Sequence, residues 1–193
     1  MEQSTEVLMA LLVKNVRIVD PARNQDGLSS MLVRDGKVAA FGPDAEREAG
    51  AEILDGQGRL LVPGLIDLHA HFREPGQTAK ETIATGSRAA VAGGYTTVCA
   101  MANTKPVNDS VGVTEMMLSR ARQADLCRYL PIGAMTKGQG GEELADYGGL
   151  MAAGCVAFSD DGHSVMNAAI MRRALKYTSW LDVPIVAHEE DTN

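Results

Sequence analysis

His69 and His71 stand one residue apart at the close of an apolar run, in "LIDLHAHFREPGQ" (65–77). Imidazole nitrogens are strong ligands for divalent metals, and two of them on one edge of a strand can hold the same ion. If the strand stays regular to residue 73, Asp67, His69, His71 and Arg73 share one face and Leu68, Ala70 and Phe72 the other. One face would then carry chemistry while the other packs against helices. Two imidazoles do not complete a four-coordinate site, so further ligands should come from other strand ends. "CVAFSDDG" (155–162) ends in Asp160 and Asp161, and "VPIVAHEED" (183–191) leads to His188. Alternation places Asp161 with the small residues Cys155, Ala157 and Ser159, and Asp160 with Val156 and Phe158. Small residues inward favour Asp161 as the ligand, leaving Asp160 to cap a helix or orient a neighbour.

The elements that must position these groups are readable as a change of rhythm. Up to residue 60 the chain alternates and turns often: "LLVKNVRIVD", "SSMLVRDGKVAAFG" with Asp35-Gly36 as a hairpin turn, and "AEILDGQGRLL". We read residues 1–60 as a small β unit. From Leu61 onward, short apolar runs at about 64–69, 95–101, 128–134, 155–160 and 184–188 are separated by helical patterns. These are "TAKETIATGSRAAVAGG", "SVGVTEMMLSRARQADL", "GEELADYGGLMAAG" and "MNAAIMRRALKYTSWLD". Repeated βα units of this kind build a parallel sheet, either open and doubly wound or the first part of an eight-stranded barrel. "KGQGGEE" (137–143) matches neither phosphate-loop pattern, so a nucleotide-binding sheet is disfavoured.

Composition narrows the class. A chain of 193 residues that is 45% hydrophobic can bury a core. Its net charge of −7 argues against nucleic acid as a partner, because phosphate binding draws on surplus Lys and Arg. Three cysteines, Cys99, Cys127 and Cys155, form no C-x-x-C pair and read as reduced thiols of a cytoplasmic protein. Glu2 and Glu6 precede a short apolar run, unlike the basic start of a secretory signal, and no run reaches the ~18 residues of a membrane span.

Taken together, "DLHAHFREPG" (67–76), "MANTKP" (101–106), "FSDDG" (158–162) and "VPIVAHEED" (183–191) resemble the amidohydrolase superfamily and, within it, the class I dihydroorotases. H-x-H is shared with hydantoinases, allantoinases, ureases and deaminases; H-F-R-E-P-G followed by N-T-K-P is much narrower. The resemblance implies a (β/α)8 barrel beside a small β-sandwich. It also implies reversible, zinc-dependent interconversion of N-carbamoyl-L-aspartate and L-dihydroorotate in pyrimidine biosynthesis. Carried over by position, His69, His71, Asp161 and His188 look like ligands of one or two zinc ions, with Asp161 also the catalytic group. Arg73 and Asn103 look like the substrate-carboxylate site, in keeping with the paired hydrogen bonds a guanidinium offers. Expected partners are the small-molecule substrate, other copies of the chain, and an aspartate transcarbamoylase.

The chain departs from the family pattern in two ways. Binuclear relatives often bridge their metals with a carboxylated lysine, and no lysine lies between Cys155 and Gly162; Lys137 reads as a loop residue. The family's sixth-strand histidine and eighth-strand proton-carrying aspartate have no counterparts before Asn193. A barrel takes about 250 residues, more than Leu61 to Asn193 supplies. The expectation is therefore the N-terminal part of a longer polypeptide: residues 1–60 as part of a sandwich, and 61–193 as about five barrel strands. Such a piece should be inactive alone and should self-associate through open sheet edges. Two rivals stand beside this reading: an amidohydrolase acting on hydantoin, dihydropyrimidine or allantoin, and a non-catalytic scaffold homologue.

Overall fold

A computed structural model of the chain describes residues 10–190, so the expectation for Glu2 and Glu6 lies outside the described residues. The chain divides into two compact units, Met1–Pro63 and Gly64–Asn193.

The first unit is a mixed sheet. β1 (Leu11–Asp20) pairs antiparallel with β2 (Gln25–Arg34), which pairs antiparallel with β3 (Lys37–Phe41). β4 (Glu52–Asp55) and β5 (Leu60–Leu61) both join β1 in parallel. The β2–β3 connection is the Asp35-Gly36 turn, both residues at positive φ (54° and 68°), the geometry whose twist suits a two-residue hairpin. β1 bulges between Val13 and Val16, where Asn15 takes φ 54° and its amide donates to Asp55 Oδ1 at 3.0 Å. Alternating residues of β1 bury on two faces: Leu12 with Leu32 and Ala45, and Val13, Val16 and Ile18 with Met31, Phe41 and Leu61.

The second unit is a curled parallel sheet with helical crossovers, part of a barrel. β6 (Leu65–Ala70), β7 (Tyr95–Ala100), β8 (Arg128–Gly133) and β9 (Ala157–Phe158) lie side by side in chain order, every pairing parallel. Between them run α1 (Ile83–Ala92), α2 (Val111–Ala124) and α3 (Tyr147–Ala153), and α4 (Ala168–Leu181) follows β9. α1, α3 and α4 each start where a side chain takes up free amides, whereas Ser110 before α2 makes no such bond. Thr82 and Thr85 form a capping box for α1, Asp146 accepts from Gly149 N at α3, and Asn167 accepts from Ala169 N at α4.

One face of the sheet packs Val98, Ala100 and Tyr129 against Ile83 of α1 and Met117 of α2, together with Phe72. The other face gathers Cys99, Met101, Ile132 and Ala157. A third cluster joins Phe158 to Met135, Tyr147, Leu150 and Ala174 beneath α3 and α4, where the Phe158 and Tyr147 rings stack at 4.1 Å.

Two expectations need correction. The strand expected at 184–188 is reduced to one bridge, Ile185 to Phe158, with Phe158 N donating to Pro184 O and Val186 N to Phe158 O. The cause lies next door: β9 has only two residues and offers no longer ladder. The regular alternation expected from Asp67 to Arg73 also fails. Asp67 pairs with Val98 and Ala70 with Ala100, so β6 spends three steps where β7 spends two. The extra residue is a bulge, and it puts Asp67 and Ala70 on the same, helix-facing side. The strand then stops at Ala70, and Arg73 adopts a left-handed φ of 51°. Helices do not cover the apolar residues of β6 either: Ile66 is 60% and Leu68 69% exposed.

Candidate metal centre

The bulge in β6 sets up the first two imidazoles. Asp67 borders a cleft of about 260 Å³ between β6 and α1 that His71 also lines, and its Oδ1 accepts the backbone N–H of His69 at 2.9 Å. The irregular backbone is thereby held, and His69 and His71 project together with ring centroids 5.1 Å apart, edge to face.

Both meet Asp161. His69 Nε2 lies 3.3 Å from Asp161 Oδ1, His71 Nε2 lies 3.5 Å from Oδ2, and His188 Nδ1 lies 3.4 Å from Oδ1. Ligand atoms of His69, His71 and Asp161 all fall within 4.8 Å of one another. Ligand atoms about 2.0–2.1 Å from a tetrahedral zinc are separated by about 3.3 Å, so these imidazole–carboxylate spacings suit one shared cation. His188 stands outside this mutually close trio and meets it through Asp161 alone; imidazoles and a carboxylate are a donor set that zinc favours. Asp161 is 8% exposed, which keeps water from competing for its oxygens.

Asn103 enters the same cluster. Its Oδ1 is 2.9 Å from His71 Nδ1, and its Nδ2 reaches Asp161 Oδ2 at 3.5 Å. An acceptor on Nδ1 fixes that nitrogen as the protonated one and leaves Nε2 a lone pair to offer a metal. The loop bearing Asn103 is pinned by buried Asn108, whose Nδ2 donates to Ile132 O at 2.9 Å and whose Oδ1 accepts from Thr114 Oγ1 at 2.7 Å. Arg73 is half-buried, and among the described residues its guanidinium makes no hydrogen bond or ion pair.

The two loops that carry the narrow motifs lie against each other. Lys105 N donates to Pro75 O at 3.0 Å, and a Cβ on Gly76 (φ 88°) would sit 1.9 Å from Lys105 O. Only glycine fits there. Glu74 caps α1 by accepting Ile83 N at 2.8 Å.

Ser159, Gln139 and Ser164 are positioning groups that gave no signal in the sequence. Ser159 Oγ accepts from Asp161 N at 3.0 Å, and Gln139 Nε2 donates to Asp161 O at 3.3 Å. Ser164 Oγ donates to His188 O at 2.7 Å and accepts from Glu190 N at 2.8 Å, while His188 Nε2 lies 3.3 Å from Glu190 Oε2. Asp160 faces β8 instead of the imidazoles, accepting from Met135 N and Thr136 N. Burial pushes its carboxyl above the usual range, opposed by the bonds from Thr136 and Met135 and by nearby His163. Lys137 is exposed and ion-paired with Glu143, and His163 is exposed in the loop after Asp161.

This architecture is that of cyclic amidohydrolases. It overlays L-hydantoinase from Arthrobacter aurescens with a TM-score of 0.80 at 22% identity, over 95% of this chain and 41% of that one. D-hydantoinase from Thermus sp. overlays at 0.74 with 26% identity, over 94% of this chain and 40% of that one. The family is narrower. A family model described as Dihydro-orotase-like matches residues 58–193, and a dihydroorotase of Anaeromyxobacter dehalogenans (strain 2CP-C) is 56% identical over 94% of this chain. A dihydroorotase of Solibacter usitatus is 48% identical over 96%. The chain belongs to the dihydroorotase-like family, and it spans 42–43% of the length of these two relatives.

Proposed function

We propose that the chain carries the larger part of the metal centre of a zinc-dependent dihydroorotase, interconverting N-carbamoyl-L-aspartate and L-dihydroorotate for pyrimidine biosynthesis in the cytoplasm. The observation that carries this reading is the approach of three imidazoles, from His69, His71 and His188, to the single carboxylate of Asp161. When bound, zinc supplies an acidified water and Lewis-acid polarisation of an amide carbonyl. His69, His71, Asp161 and His188 would hold the cation, with His71 oriented by Asn103 and His69 set by the bulge. Asp161 doubles as the catalytic carboxylate within the chain, and Arg73 grips the substrate carboxylate. Asn103 is the second substrate group in this reading, though its amide is already engaged with His71 and Asp161.

In this reading Asp161 and the three imidazoles are taken up as ligands, and the 193 residues by themselves should not turn over substrate. Residues 1–60 fit one layer of a sandwich, in keeping with exposed Leu28, Ile53 and Leu60, and residues 61–193 fit the first part of a barrel. Self-association and an aspartate transcarbamoylase partner belong to the same proposal.

The engagement of Asn103 favours one alternative, a site for a neutral ring of the hydantoin or dihydropyrimidine type. The test assays the protein that carries this chain on dihydroorotate, dihydrouracil and hydantoin, before and after chelation. Turnover of dihydroorotate alone, lost with zinc and regained on adding it, is the expected result. Faster turnover of the neutral rings overturns the substrate assignment, and purified protein that neither retains nor needs zinc points to a scaffold.

A further inference from the structure

We propose that Asp160 is a positioning residue whose buried carboxylate fixes the place of Asp161 and thereby sets how tightly the cluster holds a metal ion. The proposal rests on the metal-centre reading above. The ladder between β8 and β9 has only two register pairs, Ile132 with Ala157 and Gly133 with Phe158, flanked by Val156 N donating to Pro131 O at 3.0 Å and Ser159 N donating to Gly133 O at 2.8 Å. Beyond that point the two chains have no backbone bond to keep them parallel. The Asp160 side chain takes over: Oδ1 accepts from Met135 N at 2.8 Å and Thr136 N at 3.0 Å, and Oδ2 accepts from the Thr136 hydroxyl. It lengthens the junction by two residues on the β8 side at the height where Asp161 must aim.

Stability alone does not call for a carboxyl group here. Asp160 is 1% exposed and has no cationic side chain paired with it among the described residues, a costly way to fill a core position. An acceptor able to take three donors at once from one loop is what the position requires. That loop also reaches Asp161 directly, through Gln139 Nε2 to Asp161 O, and is closed on itself by Gly141 N donating to Thr136 Oγ1 at 2.9 Å. With Ser159 Oγ on its amide, Asp161 has its backbone held on both sides, and only side-chain torsions remain to aim its oxygens. Metal sites lose function when ligands drift by about 0.5 Å. Asp160 is not itself a ligand, because both its oxygens are turned to Met135 and Thr136.

The test titrates the chain and its Asp160→Asn, Thr136→Val and Thr136→Ser variants with Zn²⁺ by competition against a chromophoric chelator. Co²⁺, whose visible absorption reports ligand geometry, is the second probe. Thr136→Val keeps the shape of the side chain, so it carries the test if Asp160→Asn fails to fold. Asp160→Asn and Thr136→Val should weaken Zn²⁺ binding by about 10- to 100-fold and alter the Co²⁺ spectrum, and Thr136→Ser should restore both. Melting of the metal-free proteins is recorded alongside. Variants that melt earlier yet bind Zn²⁺ like the parent overturn the positioning role alone. A parent chain that binds no Zn²⁺ overturns the metal-centre reading beneath it.

Discussion

At the scale of single residues, the division of labour around His71 can be tested by subtraction. Asn103→Ala removes the acceptor that selects the His71 tautomer, so zinc affinity should fall about tenfold or more, as it does when partners of ligands are lost. Arg73→Ala touches no ligand hydrogen bond and should leave zinc affinity unchanged while raising KM for an acidic substrate. Calorimetric zinc titration and steady-state kinetics of the protein carrying the chain separate the two. The thiols give a second check. Burial raises the Cys99 thiol, aided by the negative charge of Asp67, and burial raises Cys155 against the opposing bonds from Thr114 and Asn108. A raised pKa leaves less thiolate at any given pH below it, and thiolate is the reactive form. A disulfide reagent near pH 8 should therefore label half-buried Cys127 first and the other two only on unfolding, as peptide mass spectrometry would record.

At the scale of elements, the close approach of the two motif loops makes Gly76 a sharp probe. Gly76→Ala must displace the Lys105 carbonyl and hold a left-handed backbone, which should cost at least about 1 kcal/mol and loosen the Asn103 loop; urea unfolding and zinc affinity should both shift. Phe158→Ala, in contrast, empties the stack against Tyr147 and should cost about 3–5 kcal/mol in urea unfolding. What could be read from the sequence follows the same division. Period-two and helical patterns reveal β6 to β8, α2 and α4 to within a few residues, because they report burial along one element, whereas α1 and α3 begin well inside the stretches read as helical. They cannot reveal the bulge in β6, since a single extra residue leaves composition untouched while reversing which side Asp67 faces. Nor could they show that Thr136 braces the Asp160 carboxylate and Gln139 the Asp161 backbone carbonyl, since those contacts join elements across the fold. Alternation along 155–161 separates the two side chains as the fold does, Asp161 toward the imidazoles and Asp160 toward β8, although only Ala157–Phe158 remains a strand.

At the scale of the whole molecule, each unit must be judged by the surface it leaves open. Among the described residues β6 pairs only with β7, so its other edge carries backbone groups without a strand partner there, beside exposed Ile66 and Leu68. Edges of that kind recruit further strands. Leu68→Lys should reduce light scattering and the larger species in sedimentation without lowering the melting temperature; unchanged sedimentation would place self-association elsewhere. Among the described residues no helix is long and apolar enough to cross a membrane, so this apolar surface is not a spanning helix.

His69 and His188 lie near opposite ends of the second unit's chain, and both touch one carboxylate. An ion seated there would act as a rivet between the first strand and the last segment, tying by coordination what the single bridge at Ile185 ties weakly by backbone. The unfolded chain has no such meeting point, so each increment of bound ion favours the folded form by mass action. Rivet and sheet would therefore come apart together.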